Sequence, residues 1–72
     1  MLSRGDLIRI PANTCIIQER NELAIIDNYK YTTKPKIGIF IKYERDQEVT
    51  IFFENEFWIV KDKDIRYVGA AC

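Results

Sequence analysis

Residues 36–68 read KIGIFIKYERDQEVTIFFENEFWIVKDKDIRYV, and this stretch decides the fold class. Three runs rich in β-branched and aromatic residues are separated by two short charged breaks, at residues 45–48 and 54–56. Residues of the first kind favour strands, and breaks this short are typical of tight hairpin turns. The stretch therefore predicts an antiparallel meander of three strands. It contains no catalytic motif.

Alternation along these strands predicts which side chains share a face of the sheet. Gly38 lies between apolar neighbours and permits either a close approach of another backbone or a strong bend. Phe40 and Phe52 are expected to face each other on the opposite side from the core stripes, and the pattern leaves open which of Phe57 and Trp58 faces outward. Two stripes at period two are expected to form one face of the core: Ile37, Ile39, Ile41, Val49, Ile51 and Phe53.

The chain before the meander predicts one strand and a longer excursion. Residues 6–10 predict a strand with Ile8 and Ile10 inward, and Pro11 ends it. Residues 15–27 fit a short helix or a hairpin; their β-branched content and the central Asn21 favour the hairpin, with a turn at residues 27–28.

The chain after that excursion continues to a short closing strand. Residues 29–36 are expected to be extended and basic, because Pro35 disfavours helix in the residue before it. Residues 62–64 predict a single tight helical turn with Asp62 as its cap, and residues 65–68 predict the closing strand.

Composition indicates one globular domain spanning residues 1–72. The 72 residues are 47% hydrophobic and 31% charged, which is too apolar for a disordered chain. The formal net charge of zero argues against a protein whose main ligand is nucleic acid, because phosphate neutralisation supplies most of that affinity. A local basic patch is still compatible with a net charge of zero. No secretory signal or membrane-length apolar run is visible, which favours a cytoplasmic location and no membrane partner.

The residue inventory argues against catalysis, so we expect no enzyme, no metal site and no cofactor. There is no histidine, and the sole serine is Ser3. Cys15 and Cys72 are too widely spaced for a paired zinc motif and are expected to be free thiols. Two pairs of carboxylates at spacing two are explained as solvated turn charges: Glu54 with Glu56, and Asp62 with Asp64.

The order of predicted strands, the long excursion and the tight turn along the chain resembles that of an SH3-like small barrel. Four segments carry the resemblance: residues 5–10, 37–41, 57–60 and 64–65. The resemblance implies an all-β fold of about five antiparallel strands, with a long loop after strand 1 and a single 3-10 turn before the last strand. The chain departs from peptide-binding SH3 domains, which carry paired tryptophans where this one has only Trp58. Recognition of proline-rich helices is therefore not implied.

Within that fold, the pattern Pro35-x-Ile-Gly38 … Phe57-Trp58-x-Val60 … Asp64-Ile65 looks like a group of uncharacterised proteins of marine cyanophages. The resemblance implies a phage-encoded accessory protein that acts in the cytoplasm of an infected host cell.

Two features of the sequence suggest where such a protein binds: more aromatic residues than one core face needs, and positive and negative charges that fall in separate parts of the chain. Either the barrel covers its outer aromatics with the long excursion, or an aromatic patch beside a basic arm is exposed. The candidate binding residues are Tyr29, Lys30, Tyr31, Lys34, Lys36 and Trp58. The leading hypothesis is a non-catalytic protein-binding module that docks on a host or phage protein. The alternative is an RNA- or ribosome-binding barrel that uses the basic arm from Tyr29 to Lys36, and the expected state is a monomer or weak homo-oligomer.

Overall fold

The structure is a computed structural model that describes residues 2–20 and 25–70. The all-β expectation is confirmed, although the described chain forms seven strands where about five were expected. The strands are β1 (Leu7–Ile10), β2 (Cys15–Arg20), β3 (Ile25–Tyr31), β4 (Lys36–Arg45), β5 (Glu48–Phe53), β6 (Glu56–Lys61) and β7 (Arg66–Gly69). A single 3-10 turn, Asp62–Asp64, precedes β7 at the position that the sequence predicts.

All seven described strands belong to one antiparallel sheet in the order β3-β2-β6-β5-β4-β1-β7. β3 and β7 are its two edges, so hydrogen bonding does not close the sheet among the described strands. The two additional strands, β2 and β3, form the hairpin that the sequence favours after β1. Its connection, including the central Asn21, lies outside the described residues.

One face of the sheet, called the core face here, holds the hydrophobic core. The inward positions predicted in β1 are confirmed, since Ile8 and Ile10 are fully buried. The stripe Val49, Ile51 and Phe53 is likewise confirmed. The core face carries Ile8, Ile10, Ile16, Phe40, Val49, Ile51, Phe53, Trp58, Val60 and Ile65.

The predicted phase of β4 is wrong, because Phe40 is buried and Ile37 is exposed. A Cβ at Gly38 would lie 3.2 Å from both the carbonyl oxygen of Phe52 and the Cβ of Phe53, so the strand approaches the core most closely where it has no side chain. Phe40, two residues on, supplies the bulk on that face. Phe40 and Phe52 consequently lie on opposite faces instead of facing each other, since Phe40 pairs with Ile51 and Phe52 pairs with Ile39.

The β5–β6 turn follows the predicted chemistry. Glu54 and Asn55 are the two central residues, and both have positive φ, of 52° and 66°. Positive φ at both positions is what a type I′ hairpin turn requires, and asparagine tolerates it better than most residues.

Two local predictions are wrong. Residues 27–28 do not turn: they lie inside β3, where a register shift opposite Gln18 and Glu19 absorbs an extra residue as a bulge. Asp62 does not cap the 3-10 turn, because Lys61 occupies the cap position and no side chain bonds there. The Ile65 N–H closes the turn instead by donating to the carbonyl oxygen of Asp62.

Candidate binding surface

The predicted basic arm is divided between two faces of β3. Tyr29 pairs with Ile17 and Tyr31 pairs with Cys15, whereas Lys30 pairs with the fully buried Ile16. Because successive strand residues point to opposite faces, the two tyrosines and Lys30 cannot present one joint surface. Lys34 is exposed in the loop after β3.

Trp58 belongs to the core, with only 2% of its surface exposed, so the alternative with Phe57 outward is the one the structure adopts. Trp58 pairs with the buried Ile51, which fixes its direction. Its indole is therefore not part of an exposed aromatic patch. The Lys30 ammonium lies 5.0 Å from the centre of the indole ring, and the buried indole N–H has no hydrogen-bond partner within residues 2–20 and 25–70.

Glu54 forms ion pairs with two lysines of the arm and offsets one of their two charges. Its carboxylate oxygens lie 3.4 Å from Lys30 Nζ and 3.2 Å from Lys36 Nζ. Hydrogen bonds from Lys36 and then Lys30 hold the pKa of Glu54 below its ordinary value. The arm therefore presents less free positive charge than its sequence suggests.

The second face of the sheet, called the open face here, is apolar over most of its width. Side chains at paired positions of neighbouring strands lie on the same face, so the register joins Ile17 to Ile59, Phe57 to Phe52, and Phe52 to Ile39. Five large apolar side chains of this face are more than half exposed: Ile26, Tyr29, Tyr31, Ile37 and Phe57.

Three of those exposed residues, Ile26, Ile37 and Phe57, are absent from the predicted set. Ile37 belongs to the stripe that the sequence assigns to the core, and Phe57 was one of two alternatives in β6. Phe57 packs edge-on against Phe52, with ring centres 5.0 Å apart, and is 56% exposed. The signal in the sequence was the apolar character of both phases, which indicates two apolar faces without identifying the buried one.

One cluster of paired charges links strands of the sheet that are not neighbours. The guanidinium of Arg45 donates two hydrogen bonds to the carboxylate of Glu19, at 2.7 and 2.8 Å, and another to Glu48. The hydrogen bonds from Arg45 lower the pKa of Glu19, and those to Glu19 and Glu48 raise the pKa of Arg45. The cluster joins β2 to the β4–β5 hairpin across β6.

A second cluster lies beside the first. The hydroxyl of the buried Thr50 donates to Glu44 at 2.6 Å, and Lys42 Nζ lies 3.7 Å from the same carboxylate oxygen. Both clusters border an open groove floored by Ile17, Ile41 and Ile59. Arg4, Asp27 and Glu56 also line the groove, which is therefore a mixed surface with apolar side chains between charged ones.

Neither sheet edge is an unprotected strand. β3 carries a bulge, and its Lys30 points to the core face; both devices discourage pairing with another strand. β7 is only four residues long and pairs with β1 through a register shift. The exposed apolar surface therefore lies on a face and not along an edge.

Among residues 2–20 and 25–70 no cluster of three or more side chains of metal-ligating type could hold a metal ion. No helix within those ranges is long and apolar enough to cross a membrane. Cys15 is a free, half-buried thiol, as predicted, whereas Cys72 lies outside the described residues.

Comparison of the chain with protein-family models, curated proteins and solved structures gives no match.

Proposed function

We propose that this chain is a non-catalytic protein-binding module that docks on a partner protein through the open face. The observation that carries the proposal is the presence of five large apolar side chains, each more than half exposed, on one face of the sheet. Monomeric proteins rarely leave a contiguous apolar surface bare, and aromatic residues are enriched where proteins meet.

Docking by the face is favoured over strand addition at an edge. An added strand needs a row of unpaired backbone groups on a regular strand. The bulge and the inward Lys30 of β3 interrupt such a row, and β7 offers only four residues.

We further propose that the fold is an SH3-like barrel with an elaborated first loop. Five strands follow one another in the order β7-β1-β4-β5-β6, and the hairpin β2–β3 occupies the connection between β1 and β4. The 3-10 turn before β7 supports the same assignment. The likeness of residues 35–38, 57–60 and 64–65 to cyanophage proteins supports a phage-encoded accessory protein, acting on a host or phage protein in the host cytoplasm.

RNA binding through the arm from Tyr29 to Lys36 is the weaker candidate. Lys30 and Lys36 share Glu54, and the formal net charge of the chain is zero. Phosphate contacts supply most nucleic-acid affinity, and the three lysines of the arm with one carboxylate leave a charge of only +2 for such contacts.

The test is affinity capture from a lysate of the cells in which the protein is made, followed by a binary titration with the purified partner. Phe57→Asp should weaken binding at least tenfold, because it puts a charge at the centre of the apolar surface. Tyr67→Asp is the matched control, since Tyr67 is similarly exposed, at 61%, but its partner in β1 is the core residue Ile8.

A partner retained by the wild type and by Tyr67→Asp, and lost by Phe57→Asp, would support the proposal. Equal yield and equal affinity for all three proteins would refute it. A concentration-dependent dimer that Phe57→Asp dissociates would instead assign the face to self-association.

A further inference from the structure

Positive charge is unevenly compensated across the described part of the chain. Five cations lie within 4.0 Å of a carboxylate: Lys30, Lys36, Lys42, Arg45 and Lys61. Five cations have no such partner among the described residues: Arg4, Arg9, Lys34, Lys63 and Arg66. Three of them, Arg9, Lys63 and Arg66, lie together and exposed at the end of the sheet formed by β1, the 3-10 turn and β7.

Arg9 and Arg66 are direct partners across β1 and β7. Their Cβ atoms are therefore about 5 Å apart on one face, an arrangement in which like charges repel. Arg66 Nη1 donates to the carbonyl oxygens of Lys63 and Ile65, both at 3.1 Å, which holds its guanidinium beside the 3-10 turn. The remaining guanidinium N–H groups of Arg66 stay available to a ligand.

The same row continues into the apolar surface. Ile37, which is exposed, pairs with Arg9 on the other side of β1, so the row Ile37–Arg9–Arg66 runs across the open face at this end. Asp64 lines a small cavity with Lys63 and Arg66, but lies beyond ion-pair distance of both. Asp62, in the same 3-10 turn, likewise makes no ion pair with these cations, so three cations and two carboxylates leave this end with a formal charge of +1 and two unpaired guanidinium groups.

We propose that the row Ile37–Arg9–Arg66, together with Lys63, binds an acidic, extended segment of a partner protein. The residues on one face of that segment, which are every second residue, are an apolar side chain followed by carboxylates. This inference rests on the proposed protein-binding function and names the chemistry of the partner. Guanidinium groups bind carboxylates in a bidentate fork, and Ile37 offers an apolar contact next to them. A nucleic acid is a less favourable ligand for this row than an acidic protein segment. Its affinity depends on many phosphate contacts, and a chain whose formal net charge is zero offers only a few.

The experiment is a fluorescence anisotropy titration of the full chain with a labelled synthetic peptide whose every second residue follows the order Leu, Glu, Glu, with Ser at the positions between. Arg9→Gln and Arg66→Gln should each weaken binding about fivefold or more, and raising the salt from ~20 to ~200 mM should weaken it further. Lys42→Gln and Lys61→Gln are matched controls, since their charges are already compensated, and should change the affinity less than about twofold.

Three results would overturn the inference: no binding of the acidic peptide, equal losses in the control variants, or tighter Arg9-dependent binding of a short oligouridylate. The Phe57→Asp comparison separates this failure from failure of the proposed function. A partner captured through Phe57, with affinity unchanged by Arg9→Gln, would support the protein-binding function. It would refute only the inference that the partner binds through an acidic segment.

Discussion

Gly38 is the residue at which the packing has least room. A side chain there would press on the backbone oxygen of Phe52 and on the Cβ of Phe53, both at 3.2 Å. We expect Gly38→Ala to lower the free energy of unfolding by about 1–2 kcal/mol through overpacking, measured by urea denaturation. Gly69→Ala is the control, because a Cβ at Gly69 meets nothing within 4 Å, and should change stability by less than about 0.5 kcal/mol. Equal midpoints for the two variants would contradict the close approach.

Gly38 also shows what could not be predicted from the sequence. Charged breaks and apolar alternation were sufficient for the strands of the meander, the turn at Asn55 and the 3-10 turn. They could not decide which phase of β4 faces inward, because both phases are apolar and the decision depends on a contact with β5. The exposure of Tyr29 and Tyr31 was one of two alternatives that the sequence left open. The ion pair between Lys30 and Glu54 joins residues 24 positions apart that only the folded sheet brings together.

At the scale of the element, β3 is an edge strand protected by one inward lysine. Lys30→Val should remove that protection and let β3 pair with another copy, because β-branched apolar residues favour strand pairing. We expect concentration-dependent association in light scattering at micromolar protein. Lys34→Val is the control, since it adds the same side chain in the loop after β3. A monomeric Lys30→Val variant would show that the bulge alone protects the edge.

At the scale of the whole molecule, ion pairs link parts of the chain that are distant in sequence. Arg45 lowers the pKa of Glu19, and Lys36 with Lys30 lowers that of Glu54, both from an ordinary value of 4.5. A carboxylate whose pKa is lower in the folded state contributes stability above its unfolded pKa, and loses it as the pH falls through the folded value.

The urea midpoint of the wild type should therefore fall between pH 7 and pH 3, modestly for each pair because surface ion pairs are weak. Glu19→Gln should reduce this dependence, whereas Asp46→Asn, at the exposed tip of the β4–β5 turn, serves as the control. An identical pH profile for Glu19→Gln and the wild type would show that the pair between Glu19 and Arg45 adds no stability.

Trp58 is the only tryptophan of the chain, and its buried indole N–H has no acceptor in the part of the chain that the structure describes. The proton on that nitrogen can exchange with deuterated solvent only when the core opens. Its exchange rate therefore reports how often the sheet opens. The ammonium of Lys30 over the ring adds a second readout, since moving a positive charge away from the indole changes its emission. The molecule thus carries an intrinsic optical and isotopic probe of its own interior, and a ligand that draws Lys30 away can be followed without a label.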